Sequence, residues 1–436
     1  MARLRGGMEF PAGRLRQIAA PPPRLSATPV VMHVRQRPEV HTGQHVEAGQ
    51  TVCESRMSGR GNRVSPFEGV IARMELLDDD ADHKTYELQI ICDHRETPTS
   101  ISVDLPSGRK LTNWLRVLSR IDPWAEHDGG VGLRSQLESA KDRRPDTVML
   151  NGLDRFASFP DSSSLLASFP DAAAAGLRLI ADLVEAPDAV MVVAKDMQIA
   201  GQLRSDCRRH SIRLMMKKNT YPTAHPSTLA WVALRDARRL SPGVNPISQH
   251  LLMVNPWTAI RLGRWLESQR LDIVRPMFIG WPEPDSHMTV RYALPGQSLL
   301  RLHDRLEQCV NRSTMQVLLG HPMNGRKLFS SGSEVDPYDV LVPEDELLLT
   351  CLAMDAPAVG QVQACISCGW CAEVCPTRLR PAEMYRLCKR GGPADVLLPQ
   401  LNWCLDCGLC SYVCPSSLPL TQTFRQMTAR FERILK

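Results

Sequence analysis

At 436 residues the chain is too long for one ordinary core, and about two to four domains are expected. Its 43% hydrophobic, 23% charged and 5% aromatic content is that of a globular protein. The mild net charge of +5 comes with no lysine-rich block interleaved with aromatics, so nucleic acid is not indicated as a partner. No window approaches about 18 uninterrupted apolar residues, so no transmembrane segment is expected. The start, Met1 to Gly7, lacks the apolar stretch of a secretory signal. Residues 1–28 are rich in Arg, Gly and Pro, include Pro21-Pro22-Pro23, and read as an arm, either extended over the surface or disordered.

Residues 29–100 show short β-rich runs broken by turn residues: Val40, Gly43 to Val46, Gly49 to Val52, and Val64-Ser-Pro-Phe-Glu-Gly-Val-Ile71. Strands at these intervals suggest a small all-β module, and the turn pattern resembles the barrel-sandwich fold of lipoyl and biotinyl domains. A carrier domain of that kind needs a lysine at its hairpin tip, and the loop Glu54 to Arg63 has none. This barrel is therefore expected to be structural. Residues 101–128 read as a linker.

From residue 129 to 271 strands alternate with helices. Thr147 to Leu150 is an apolar run ending in Asn151-Gly152, and Ala189 to Ala194, Ile212 to Met216 and His250 to Asn255 repeat the theme. Helices are predicted over Asp171 to Glu185, with Asp171 as N-cap, over Met197 to Arg209, and from Trp257 to Ser268. The alternation implies a parallel, doubly wound sheet whose ligands sit at the carboxyl ends of strands. Asn151, Gly152 and Asn255 are placed there, although the same residues suit plain turns. Residues 272–345 return to mixed β character, with a helix over Leu299 to Gln308 and a polar, acidic linker from Ser330 to Glu346.

Residues 346–436 carry the strongest signal. Cys365, Cys368, Cys371 and Cys375-Pro376 repeat as Cys404, Cys407, Cys410 and Cys414-Pro415. Each half is the C-x2-C-x2-C-x3-C-P run that holds a [4Fe–4S] cluster in two-cluster ferredoxins, where the fourth cysteine ligates the other cluster. Applied here, one cluster takes Cys365, Cys368, Cys371 and Cys414, and the other takes Cys404, Cys407, Cys410 and Cys375. Paired zinc sites are the competing reading, but zinc explains neither the third cysteine at fixed spacing nor the repeated Cys-Pro. The remaining six of the fourteen cysteines, Cys53, Cys92, Cys207, Cys309, Cys351 and Cys388, show no pairing logic. Free thiolates as ligands point to a reducing, cytoplasmic compartment. Helices over Pro381 to Arg390 and Thr421 to Leu435 suggest that the cysteines sit in an all-helical domain.

Taken in order, these parts resemble the RnfC family, the peripheral iron–sulfur subunit of the Rnf/Rsx ion-translocating electron transport complex. The likeness runs from about residue 29 onward. Besides the cysteines it rests on Thr147 to Gly152, Tyr221-Pro222, Asn255-x-x-Thr258-Ala259 and Gly320-x-Pro322-Met323-x-Gly325. It implies a multidomain α+β chain: a barrel-sandwich module, an α/β domain like the flavin subunit of complex I, a small β-grasp-like (SLBB-like) domain and the helical two-cluster domain. It also implies a peripheral protein on the inner face of the cell membrane. Its partners would be integral membrane subunits, a soluble ferredoxin, or both.

The chain departs from the family where FMN and NADH would bind. The family's loop has the form G-x-G-G-x-G-F-P-T, and here the stretch reads Gly129-Gly130-Val131-Gly132-Leu133-Arg134-Ser135-Gln136. Gly130 and Gly132, with Asn151 and Gly152, mark what remains of such a site. An acidic run after Asn151-Gly152 is replaced by Leu153-Asp154-Arg155-Phe156. Without the later glycines the backbone cannot approach a phosphate in the usual way, unless a different alignment supplies another loop. The expectation is an electron conductor with two clusters, no stoichiometric FMN and no NADH oxidation of its own. Full RnfC activity, or a cobalamin reductase of similar build, is the alternative, and a non-enzymatic conductor that docks ferredoxin is a third.

Overall fold

The computed structural model describes residues 8, 15–34, 37–54, 63–80, 83–120, 133–197, 200–234, 250–281, 288–311, 315–328, 340–343, 346–353 and 362–434. The architecture is mixed α/β and built in several units around four hydrophobic cores.

Of the N-terminal arm, residues 15–28 are tied to the rest of the chain. The backbone N–H groups of Arg16 and Ile18 donate to the hydroxyls of Ser164 and Ser168, Ile18 is buried, and strand β1 (Arg24–Ser26) pairs with a later strand. Strands β2 (Val30–Val34), β3 (His45–Val46), β4 (Thr51–Cys53), β5 (Arg63–Val64), β6 (Gly69–Asp80), β7 (His83–Cys92), β8 (Glu96–Pro98) and β9 (Ser100–Ser102) follow. They give an antiparallel sheet in the order β2-β7-β6-β3, a β4-β5 pair and a β1-β8 pair. Alternation buries Val30 and Val34 of β2 against Leu88 and Ile90 of β7, with Phe67 and Ile71. The turns before β3 and β4 need left-handed backbone, which Gly43 (φ 84°) and Gly49 (φ 83°) supply.

Of the stretch 101–128 expected as a linker, the described residues 101–120 include a helix. Helix α1 (Leu111–Arg120) forms there, and Trp114, Leu115 and Leu118 enter the largest core, with Trp114 edge-on to Trp265 at 5.5 Å. Its apolar residues recur at helical spacing, the signal that the flanking polar residues concealed.

The α/β unit comprises α2 (Leu133–Arg143), β10 (Thr147–Gly152), α3 (Asp161–Ser168), α4 (Pro170–Leu183), β11 (Asp188–Ala194), α5 (Ala200–Arg209), β12 (Arg213–Lys217), α6 (Pro226–Leu234), β13 (Leu251–Val254) and α7 (Pro256–Ser268). All strand pairs are parallel, in the order β12-β11-β10-β13. The connection reverses direction between β10 and β13, which is the switch point of the sheet. Helices α4 and α7 touch through glycines: a Cβ on Gly176 would meet the Ala259 carbonyl oxygen at 1.9 Å, and one on Gly263 that of Ala172 at 1.9 Å. Two predicted boundaries move. Asp171 lies in the first turn of α4 rather than capping it, and α5 begins at Ala200.

Strand β14 (Arg270–Asp272) pairs with β9. Next come β15 (Arg275–Gly280), β16 (Met288–Ala293), a 3-10 turn over Leu299–Leu302, α8 (Asp304–Asn311), β17 (Met315–Leu319), β18 (Arg326–Lys327) and β19 (Leu348–Ala353). Their mixed sheet has the order β16-β15-β19-β17-β18, with β19 parallel to β15 and antiparallel to β17. Strand β19 lies within the stretch 346–436 that carries the cysteines, and it runs between β15 and β17 of this sheet. The single helix expected over Leu299 to Gln308 breaks at His303, whose backbone is extended.

Residues 362–434 are helical where they are regular: α9 (Trp370–Glu373), α10 (Pro381–Lys389), α11 (Ala394–Asn402), α12 (Leu409–Tyr412) and α13 (Leu420–Ile434). They close on a core of Met384, Leu397, Leu401, Phe424 and Phe431. No single helix among the described residues is long and apolar enough to cross a membrane.

Candidate metal centre

The two cysteine runs fold through the same local device. In the first, Ser367 (φ 60°) and Gly369 (φ 82°) are left-handed, and α9 follows; in the second, Asp406 (φ 54°) and Gly408 (φ 80°) are left-handed, and α12 follows. Two left-handed residues in three coil the chain tightly, so side chains three apart turn to one side. Each one-turn helix is then followed by Cys-Pro.

Cys375, from the first run, lines one cavity together with Cys404, Cys407 and Cys410 of the second. The cavity holds about 380 Å³ of empty volume, part of it open to solvent, and its remaining walls are mainly apolar, including Leu379, Met384, Leu409 and Phe424. On the other side Cys371 stands near Cys368 and Cys414. Cys365 lies beside Arg386, whose guanidinium is 3.7 Å from its sulfur.

The donors differ in environment. Burial pushes the Cys404 thiol up to about 12 and Cys410 to about 11, and it raises Cys407 as well; neighbouring thiols add to the effect. Cys365 is drawn down, first by the backbone N–H of Ser367 and then by Arg386. Enclosed thiols of this kind stay protonated unless a cation joins them, and a soft metal centre would supply that charge. Polar groups already point at the sulfurs. The Leu379 backbone N–H donates to Cys375 Sγ at 3.3 Å, Thr377 Oγ1 lies 3.5 Å from the same sulfur, and Thr421 Oγ1 lies 3.6 Å from Cys410 Sγ. Sequence spacing gave no hint of Thr421 or Arg386. Among the described residues no three His, Cys, Asp or Glu side chains stand close enough together for one metal ion.

The second run is clamped to the rest of the chain. A Cβ on Gly408 would meet the Met323 carbonyl oxygen at 2.1 Å, and Asn324 Nδ2 donates to the Asp406 carbonyl at 3.2 Å. Arg425 joins the Asp406 carboxylate and the Asn324 carbonyl oxygen. From the α/β unit, Tyr221 Oη donates to the Cys407 carbonyl.

The residues placed at the strand ends have internal roles. Asn151 Nδ2 donates to the Ala224 carbonyl at 2.7 Å, and Asn255 caps α7 by accepting from the Thr258 N–H at 2.8 Å. Gly152 is packed flush, since a Cβ there would meet Leu166 Cδ1 at 2.5 Å and the Val192 carbonyl oxygen at 2.6 Å. Gly130 and Gly132 lie outside the described residues. Beyond β10 the described side chains pair with one another. Buried Asp154 accepts from the Ser163 N–H at 2.8 Å, Arg155 donates to Glu346 at 2.7 Å and to Asp161 at 3.2 Å, and Phe156 stacks on His321 at 5.8 Å with Tyr221 edge-on to both. Burial lowers His321 to about 3.

No family model matches the chain, and no curated protein matches it. Among solved structures it is similar to an NAD+-reducing [NiFe]-hydrogenase in the air-oxidized state, at 12% identity and a TM-score of 0.46, over 75% of this chain and 63% of that one. The H2-reduced state of an NAD+-reducing [NiFe]-hydrogenase gives 13% identity and a TM-score of 0.43, over 70% and 59%. The chain thus spans about three-fifths of the length of the structures it matches.

Proposed function

We propose that this chain is an electron-transfer subunit that holds two [4Fe–4S] clusters and passes single electrons between protein partners. The observation that carries the reading is the place of Cys375, which leaves its own run to line one cavity with Cys404, Cys407 and Cys410. That is the crossed set of two-cluster ferredoxins. Cys365, Cys368, Cys371 and Cys414 would hold the other cluster. Such clusters supply one-electron redox chemistry when bound. The all-sulfur donor set would equally suit zinc by type, but zinc takes all four ligands on one ion. Four thiolates that each bind a different iron stand farther apart, which suits a set ringing a cavity rather than converging on a point.

The chain's own groups would do the rest. Leu379 N–H, Thr377 and Thr421 offer hydrogen bonds to sulfur, a lever on potential. Leu409, Met384 and Phe424 give the inner set apolar walls. Anaerobic iron and sulfide analysis tests the reading: about eight of each per chain are expected. Zinc, or half that iron, would overturn it.

We read the wider setting as an Rnf-like complex, with this chain held peripherally on the cytoplasmic face by integral membrane subunits. Support comes from the stretches that carry the resemblance. Tyr221 and the loop from Gly320 to Gly325 both pack on the second cysteine run. NADH oxidation would belong to a partner, because the stretch Gly129 to Gln136 lacks the later glycines of the family's loop. High-salt or alkaline washing of membranes should release the chain, and retention through both would count against this setting.

A further inference from the structure

Reduction adds one negative charge to a centre held by four thiolates, so whatever favours that charge raises the potential there. The two cysteine runs differ in this respect. Around the first, residues 366–370 are all exposed, Cys368 among them. Around the second, Leu405, Gly408 and Leu409 are buried, and the cavity walls are mainly apolar. Water solvates an added charge and apolar side chains do not, so burial alone places the inner set at the lower potential.

The hydrogen bonds to sulfur point the same way. Arg386, on α10, reaches back to the first run: its guanidinium donates to Ser367 Oγ at 2.8 Å and lies 3.7 Å from Cys365 Sγ. A charged donor bonds about twice as strongly as a neutral one, and arginine keeps its charge at any pH a protein survives. The inner set has neutral partners instead: the Leu379 N–H and the Thr377 hydroxyl at Cys375, and the Thr421 hydroxyl at Cys410. Arg425, beside the second run, is bonded to the Asp406 carboxylate, which offsets its charge. Acids stand near the first run too. Glu373 on α9 and Glu383 on α10 are exposed, and Glu383 is bonded to Arg380 at 3.2 Å. Neither acid touches a cysteine sulfur through a hydrogen bond, nor does exposed Arg378, and charges without such a contact are weakened by water and salt.

We propose that Arg386 sets the polarity of the relay: it holds the outer centre, at Cys365, Cys368, Cys371 and Cys414, at a higher potential than the inner one, so that a single electron on the chain rests at the exposed end. The inference rests on the two-cluster reading and adds to it an order of filling and the residue that determines that order. The first electron reduces the outer centre and the second the inner one, and no bond forms or breaks. Arg386 acts through the Cys365 sulfur and through Ser367, so it tunes the centre without being one of its ligands.

The test uses the full chain reconstituted anaerobically, with iron and sulfide measured on every sample. Redox titration followed by paramagnetic resonance reads both midpoint potentials. Cys368→Ser marks the outer centre, because Cys368 stays with the first run whichever way the fourth cysteines ligate. In the parent chain a lone electron should favour the outer centre at least about tenfold, which is a gap of about 59 mV. Arg386→Gln should cut that preference about tenfold while iron content and the inner potential hold. Arg386→Lys, which keeps the charge, should restore most of it. Lys389→Gln, on the same helix but with its amine over the Tyr385 ring at 5.6 Å, should change the preference less than about twofold. If iron and sulfide fall short of about eight each, the two-cluster reading fails and this proposal with it. If both centres load and the outer lies level with or below the inner, the polarity alone is overturned. A preference that Arg386→Gln leaves in place, or that Lys389→Gln removes equally, would overturn the role of Arg386, as would a shift of both centres together.

Discussion

The runs Cys365–Cys371 and Cys404–Cys410 use one backbone design, a left-handed residue, a left-handed glycine two positions on and a single helical turn, yet they sit in opposite settings. The first is open: Cys368 and Trp370 are exposed, and a Cβ at Gly369 would meet nothing within 4 Å among the described residues. The second is roofed by Met323, braced by Asn324 and Arg425, and hydrogen-bonded by Tyr221. Spacing sets which donors come together, because it fixes the local turn. Much of what surrounds those donors is set by residues as far as 82 and 186 positions away, and a motif says nothing about them. In a two-centre relay this difference separates an exchange end from an inner end.

The sharpest way to break the comparison is Cys375→Ser. Cys375 belongs to the open run by sequence and to the roofed set by position. Iron should fall to about half, and paramagnetic resonance should show loss or change of the signal that belongs to Cys404, Cys407 and Cys410. Loss of the other signal would mean uncrossed ligation. Next in size is a pair of glycine substitutions. Gly369→Ala meets only the left-handed backbone penalty of about 1–2 kcal/mol. Gly408→Ala adds a clash with the Met323 carbonyl at 2.1 Å, so about 3 kcal/mol or more is expected. Equal shifts in denaturation midpoint would remove the asymmetry.

The sequence made the donors and the alternating sheet legible, because both are local patterns. Runs such as Val148-Met149-Leu150 and Val190 to Val193 have the continuous apolar character of strands buried on both faces. Strand β19 has it too, in Leu348-Leu349, but the acidic stretch before it was read as the edge of a domain. Helix α3 was missed because Ser162-Ser163-Ser164 favour turns; Asp154, bound to Ser163, ties its first turn to the end of β10. The roof over Gly408 was not legible at all. Met323 and Tyr221 look like ordinary apolar residues until the fold brings them together.

Acid should loosen the roofed side selectively. His321 packs against Tyr221 and Phe156, and burial, helped by Arg155, lowers it to about 3. An unfolded histidine titrates near 6.5, so the unfolded chain binds more protons between these values. Stability from keeping His321 neutral is therefore full above about 6.5 and declines as pH falls, by about 1.4 kcal/mol per unit at most. His225, lowered by burial to about 4, acts in the same direction. Glu346 adds to the loss further down: burial opposes its charge, but Arg155 holds it below its ordinary value, so its contribution fades as pH drops through that lowered range. Relative to intrinsic exchange at each pH, protection between pH 7 and 5 should fall around 404–410 more than around 365–371. A His321→Gln variant should flatten the difference, and parallel loss of protection in both loops would refute it.

The smallest effect expected is also the most specific. Tyr221→Phe keeps the ring against Phe156 and His321 and deletes only the hydroxyl that donates to the Cys407 carbonyl. A bond of this kind contributes about 1 kcal/mol net, and leaving a partly buried carbonyl without its donor costs about the same again at most. Local opening of residues 404–408 should become about fivefold more frequent, read as amide exchange at Asp406 to Gly408. The hydroxyl of Tyr221 reaches the second run, so exchange at Ser367 to Gly369 should not move. If the roof positions the ligands as well as covering them, the midpoint potential of the inner centre should shift while that of the outer one holds. A variant that moved both centres equally, or neither loop, would show that Tyr221 only fills space.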